Sequence, residues 1–367
     1  MNNPISKTYY NLLLKNYPQY EVLRQELLKL FFRKALVERG YVDCYVNLNS
    51  YLSSLYKRSG EYVYDEPLSV TSSIINFAAH LRAFFASRFS MRCRIFFIYG
   101  NTRPESAYIN LPEYDAHNTM DREVKVEVQE IIRENLNMLN ILCPYIPEVY
   151  YIESDACEPA VIIRSIIKEQ SIKGAKHARL IFSKDLYDYQ LVATVPNTHL
   201  IRTKKTMQGD QTFSVSFFDF YKKLSKTLSL KNPIGTNISP ELYSVYMTLA
   251  GCKDRNIKGI YNYPKSNTII SNLLNSGRIL NGYNPSFGVS PNEFNLFIDT
   301  INSDESLSMI LFNRFTSMDL IHQSNLFRMH PSYFNIEKSI IDLYDPSEVQ
   351  NINNRYFKKY PLDLNVL

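Results

Sequence analysis

Between residues 41 and 193, short apolar runs alternate with longer amphipathic ones, and this alternation limits the possible folds more than any other feature of the chain. The run RCRIFFIYGN (92–101) is apolar almost throughout, as a strand covered on both faces would be. Residues 41–58 read as a strand followed by a helix, and residues 149–167 and 177–193 each open on a further strand. Between them, residues 68–90 place Ile74, Ile75, Phe77, Ala78, Leu81, Phe84 and Phe85 at helical spacing, with Arg82 and Arg88 on the other side. Asp121–Asn140 reads as a charged amphipathic helix. Strands alternating with helices of this length predict an α/β fold, a central, mostly parallel sheet flanked by helices.

Two flanking regions read as helical. In residues 1–40, Leu23, Leu27, Leu30, Phe31 and Lys34 form a stripe ending near Gly40. This N-terminal extension either packs on the core of its own domain or serves as a partner-binding helix. Beyond the sheet, Leu242, Val245, Tyr246 and Leu249 lie at i, i+3, i+4 and i+7 over Glu241–Ala250, and Gly251 is a stop signal. A polar turn follows, then a second apolar-periodic run at Thr268–Leu274. Two helices joined by a glycine-containing turn make a common nucleic-acid-binding arrangement, so residues 201–280 are expected to be a helical subdomain. Residues 281–367 read as a helical and loop extension.

Composition narrows the function classes. With 45% apolar residues, the 367-residue chain can build a substantial core. The net charge of +5 is compatible with nucleic-acid binding without requiring it. Arg202, Lys204, Lys205, Lys222, Lys223, Lys226 and Lys231 form either a solvated basic face or a contact for a phosphate backbone. The five cysteines, at 44, 93, 143, 157 and 252, have no zinc spacing and read as reduced thiols. No apolar run approaches the ~18–20 residues that span a bilayer, and no signal-peptide design opens the chain, so a cytoplasmic protein away from membranes is expected.

Several blocks, in order, carry a resemblance to a known family. In Gly251-Cys252-Lys253-Asp254-Arg255-Asn256-Ile257-Lys258-Gly259, followed by Pro264-Lys265, the positions Gly251, Asn256, Ile257, Gly259, Pro264 and Lys265 fit the family's helix–turn–helix segment. Pro112 and Tyr114 fit a Pro-x-Tyr-Lys-x-x-Arg block whose Lys and Arg become Asp115 and Asn118. Glu153 and Asp155 fit a Glu-Ala-Asp-Asp turn. Asp185, Gln190, Leu191 and Val192 fit a block after a strand. The chain resembles the flap endonuclease and phage 5′→3′ exonuclease family, with a PIN-like nuclease fold over residues 41–200.

That resemblance implies phosphodiester hydrolysis with divalent ions held in a ring of carboxylates. The family's nine acidic positions fall on Asn47, Tyr99, Glu153, Asp155, Ala156, Asp185, Tyr187, Cys252 and Arg255, of which only Glu153, Asp155 and Asp185 are acidic. These three are the remnant catalytic and metal-binding cluster, expected to hold magnesium or no metal. Asp43 lies inside its strand rather than at the carboxyl end, where α/β sites form. Three buried carboxylates need partners, so either Arg255 or Lys184 is expected to replace the metal in an ion pair. The candidate DNA-binding residues are Gly251, Lys253, Arg255, Asn256, Lys258, Gly259, Lys265 and Tyr114, with potassium as a candidate ion in the turn.

The expectation that follows is a catalytically impaired 5′ nuclease-like protein of a bacteriophage, acting as a platform for duplex or branched DNA, or for protein partners, in replication, transcription or genome handling. The alternatives are an active magnesium-dependent nuclease with a reduced site, and an assembly subunit that reuses the fold.

Overall fold

The computed structural model describes residues 11, 13–31, 41–52, 69–101, 103–109, 111–114, 122–205, 211–219, 224–228, 240, 243–252, 255–257 and 313–326. Its centre is one seven-stranded sheet. The strands are β1 (Tyr41–Asn47), β2 (Arg92–Gly100), β3 (Val149–Ser154), β4 (Ala178–Phe182), β5 (Thr198–Lys205), β6 (Gln211–Asp219) and β7 (Leu224–Leu228). In space they run β3-β2-β1-β4-β5-β6-β7. The first five are parallel neighbours, and β6 and β7 add an antiparallel edge. The α/β expectation holds. Residues 211–219 and 224–228, however, are strands within a stretch read as helical.

Period-two alternation divides β1 between two cores. Val42, Cys44 and Val46 join one, together with α1 (Gln19–Phe31), α2 (Ser69–Phe89) and the end of α3 (Arg122–Leu142). Tyr45 joins the other, with Phe96, Ile152, Ile181 and the apolar face of α4 (Pro159–Ile172). Helices on both faces are what allow a parallel sheet to carry such continuously apolar strands.

The N-terminal helix packs on its own domain. Leu23 and Leu27 of α1 are buried, and the Tyr20 ring lies 5.5 Å from Phe213 of β6 and 5.6 Å from Phe84 of α2. In the core, Cys44 and Cys93 approach to 3.4 Å between sulfurs, and Cys143 and Cys157 are buried thiols as well.

Asp43, set aside as a metal ligand from its place within the strand, anchors the amino half of the sheet. It is fully buried, accepts from Arg94 Nε at 2.6 Å and Gln170 Nε2 at 3.0 Å, and lies 2.7 Å from His177 Nε2. Its burial acts against ionisation, but the His177 and Arg94 contacts overcome it and hold the carboxyl at about 2. Arg179 donates to the backbone oxygens of His177 and Ala175, which ties this network to the chain leaving α4.

Chain order places the switch point of the sheet between β1 and β4. From β1 the connections run to β2 and β3 on one side, and from β3 the chain crosses back to β4 on the other. The crevice outside the carboxyl ends at such a point is where α/β sheets hold their sites. Gly100, at the carboxyl end of β2, allows the start of α4 to come close. A Cβ there would lie 2.5 Å from Cys157 O and 2.7 Å from Pro159 N. Asn49 grips the same residue, donating to Gly100 O at 2.7 Å and accepting from Gly100 N at 3.1 Å. Gly100→Ala is expected to lower stability by about 3 kcal/mol, since both colliding groups are backbone or ring atoms that cannot turn aside; equilibrium urea unfolding measures it.

Candidate active-site remnant

Four segments converge at the carboxyl ends of β1 and β4, and a guanidinium lies at their centre. Arg255 is fully buried. Its Nη1 donates to Asp185 Oδ1 at 3.0 Å and its Nη2 to Asp185 Oδ2 at 2.7 Å, a two-pronged pair. Nη2 also donates to Glu158 Oε2 at 2.6 Å, and Nε donates to the Tyr114 hydroxyl at 3.1 Å. The guanidinium carbon lies 3.9 Å from the centre of the Tyr187 ring. Tyr114 in turn donates to Glu158 Oε1. Burial acts against the cation, but Asp185 and Glu158 hold its pKa well above the ordinary arginine value.

Each partner is set by local sequence. Glu158 is the residue before Pro159, which occupies the first turn of α4, so the carboxylate projects from a helix N-terminus. Asp185 caps the 3-10 helix Leu186–Ala193, accepting from Tyr187 N at 2.9 Å. Asn47 ends β1, accepts from Ser50 N at 3.1 Å and donates Nδ2 to Asp188 Oδ2 at 2.6 Å.

Asp188 is the site residue that sequence reading passed over, because the Gln-Leu-Val spacing favoured Tyr187. Both lie inside the site: the 3-10 turn directs the Tyr187 ring onto Arg255 and the Asp188 carboxyl onto Asn47. Asp188 is fully buried. Burial, helped by the neighbouring Asp185 charge, pushes its carboxyl up to about 7, against the pull of Ser183, Asn47 and Arg255. Glu158 was also passed over. Its signal was the Glu-Pro pair at the helix start, adjacent to the Glu-Ser-Asp-Ala turn that drew the reading.

Of the three remnant carboxylates expected to share a site, only Asp185 faces the cluster. Glu153 is exposed and accepts from the Tyr151 hydroxyl at 2.7 Å, because its position on β3 points it to the opposite face from Ile152. Asp155 is exposed on the turn that follows. Arg255 and Tyr114, expected at a DNA-facing surface, are both buried in the cluster. Of the two cations proposed as metal substitutes, Arg255 makes the pair with Asp185.

The turn after helix α5 (Tyr243–Ala250) carries this arginine. Gly251 after it takes a φ of 79°, and Asn256 is exposed and donates Nδ2 to Glu113 O at 3.1 Å. Lys253, Lys258, Gly259, Lys265 and the second run at Thr268–Leu274 lie outside the described residues, as does the turn's candidate potassium site. Among the described residues, no group of three or more His, Cys, Asp or Glu side chains is placed to hold a metal ion. Asp185 and Glu158 already share the Arg255 charge, so this arrangement does not fit a divalent ion.

Comparison with solved structures locates this architecture. The chain superposes on the bacteriophage T5 5′-exonuclease determined with divalent zinc ions at a TM-score of 0.52 and 12% identity, covering 83% of this chain and all of that one. It is also similar to the bacteriophage T5 flap endonuclease determined in a complex with DNA and metal ions, at a TM-score of 0.49 and 14% identity, covering 82% and 98% of the two chains. This is the PIN-like 5′ nuclease fold. No protein-family model matches the chain, and no curated protein matches it. No helix among the described residues is long and apolar enough to cross a membrane.

The pH dependence of Asp188 follows from its raised pKa. The folded state binds its proton more tightly than the unfolded state does, so folding loses stability as pH rises from about 4 through about 7 and keeps the full cost above that. Asp188→Asn, which cannot ionise, is therefore expected to stabilise the protein at pH 8 by up to about 4 kcal/mol. The gain should shrink to about 1 kcal/mol near pH 4.5 and vanish below about pH 3, and thermal unfolding across that range reads it. Arg255→Met leaves Asp185 and Glu158 buried without a cation, and should cost about 3–5 kcal/mol at pH 7.

Proposed function

We propose that this chain is a 5′-nuclease-fold protein whose hydrolytic site has been replaced by an internal ion pair, and that it serves as a DNA-binding or complex-organising platform in phage replication, transcription or genome handling. The observation that carries this reading is the Arg255 guanidinium between Asp185 and Glu158 at the switch point of the sheet. Hydrolysis by divalent ions needs carboxylates free to ligate oxygen-seeking cations and to neutralise charge that builds on the phosphate. A fixed guanidinium supplies charge but can neither ionise a bound water nor exchange ligands. No hydrolytic step is therefore derived from these residues.

DNA as partner is supported by the fold shared with a T5 flap endonuclease determined with DNA, and by the turn after α5. Gly251, Lys253, Asn256, Lys258, Gly259 and Lys265 are the proposed contacts, with potassium proposed as an ion held by the turn's main chain. Arg255 and Tyr114 take an indirect part, from beneath.

A single assay checks the reading. The full chain is incubated with 5′-flap, nicked and single-stranded DNA in magnesium or manganese, and cleavage and binding are measured on the same samples. Binding that weakens steeply with salt, without cleavage, is expected. Cleavage that disappears in Asp155→Asn would restore the reduced-site nuclease, and because Asp155 is exposed that substitution leaves the core intact.

A further inference from the structure

The turn after α5 directs the Arg255 side chain inward. Cys252 and Ile257 exchange backbone hydrogen bonds of 2.9 Å in both directions, and Arg255 N donates to Cys252 O at 3.1 Å, which closes a tight loop. Gly251 and Asn256, with φ of 79° and 57°, make the left-handed bends at its two ends. On the outer side Asn256 is tied to Glu113 O. On the inner side Ile257 enters the same core as Tyr243 and Met247 of α5. From this loop Arg255 reaches three separate elements: the turn at 111–114 through Tyr114, the start of α4 through Glu158, and the segment after β4 through Asp185.

A metal ion at this place would exchange with solution, and docking of α5 would then depend on ion concentration by mass action. A guanidinium attached to the docking segment has no such dependence. We propose that Arg255 is a positioning residue, a built-in cation that fixes α5 and its turn on the carboxyl end of the sheet, so that DNA engagement through this segment is independent of divalent ions. The proposal rests on the platform reading above.

The test is fluorescence anisotropy of a labelled 5′-flap duplex with the full chain, in EDTA and in magnesium chloride. Wild-type protein is expected to bind at least as tightly in EDTA as in magnesium chloride, which itself competes for the phosphates. Arg255→Ala should bind at least about tenfold more weakly in EDTA, and should regain affinity with millimolar guanidinium chloride or magnesium, either of which supplies the missing charge. Arg255→Lys, which keeps the charge without the two-pronged geometry, should fall between them. Hydrogen exchange on the same samples should show residues 243–252 losing protection in Arg255→Ala while β2 keeps it. If β2 is lost as well, Arg255→Lys carries the comparison.

Wild-type binding that collapses in EDTA overturns the inference and leaves the platform reading standing. So does Arg255→Ala binding like wild type, or failing to respond to either cation. Wild-type protein that binds no DNA in either condition overturns the platform reading and the inference together.

Discussion

One buried guanidinium ties together the carboxyl end of this sheet. Arg255 is shared by Asp185 and Glu158, hydrogen-bonded to Tyr114 and seated on the Tyr187 ring. Removing charges from water is expensive, and such a cluster is tolerated only when the geometry is good and the remaining polar atoms are satisfied. Here the planar fork meets Asp185 with two parallel bonds, and the third direction is taken by Glu158. The cluster is also a structural junction. Its members come from four stretches of chain that also share one apolar core, and the ion pair adds a directional tie between α4, the 3-10 helix, the 111–114 turn and the α5 segment.

The opposite end of the sheet solves the same electrostatic problem with the signs reversed. There a single carboxylate, Asp43, is surrounded by Arg94, Gln170 and His177. Arg179 beside it is satisfied by backbone carbonyls after α4. Helix α4 thus has a buried polar junction near each terminus, a carboxylate with a guanidinium at its start and backbone carbonyls with a guanidinium after its end. Between them lies an apolar face of Ile162, Ile163, Ile166 and Ile167. This fixes both the rotation of the helix and its position along the sheet, which apolar packing alone specifies weakly.

The parallel core was legible because physics writes it into the sequence plainly. A run such as Ile95–Ile98 can only be covered on both faces, and the helical stripe of α2 supplies one cover. The antiparallel edge was not legible. Lys222, Lys223, Lys226 and Lys231, around and within β7, broke its apolar signal, and the stretch read as a basic face instead. In the site, Asp185 stood out because it follows an obvious strand. Glu158 and Asp188 did not, since each is distinguished by burial and by partners more than forty residues away rather than by spacing. An ion pair from Arg255 or Lys184 to the buried carboxylates was expected, because buried carboxylates need a partner, and Arg255 makes it. Which carboxylates it would meet depended on α4 and the 3-10 turn, and those are tertiary facts.

The contact between Tyr20 of α1 and Phe213 of β6 has a consequence for the order of folding. The helix leaves the ribosome first, yet the strand it covers is made roughly two hundred residues later, a separation that slows the closing of any contact. Until then the Tyr20 ring lacks its β6 partner. The parallel strands β1–β5 all precede β6 in the chain. The two ends of the nuclease-like region are therefore the last parts to be sealed, by each other, and a chain interrupted before residue 219 would leave an apolar helix face and a sheet edge exposed to solvent.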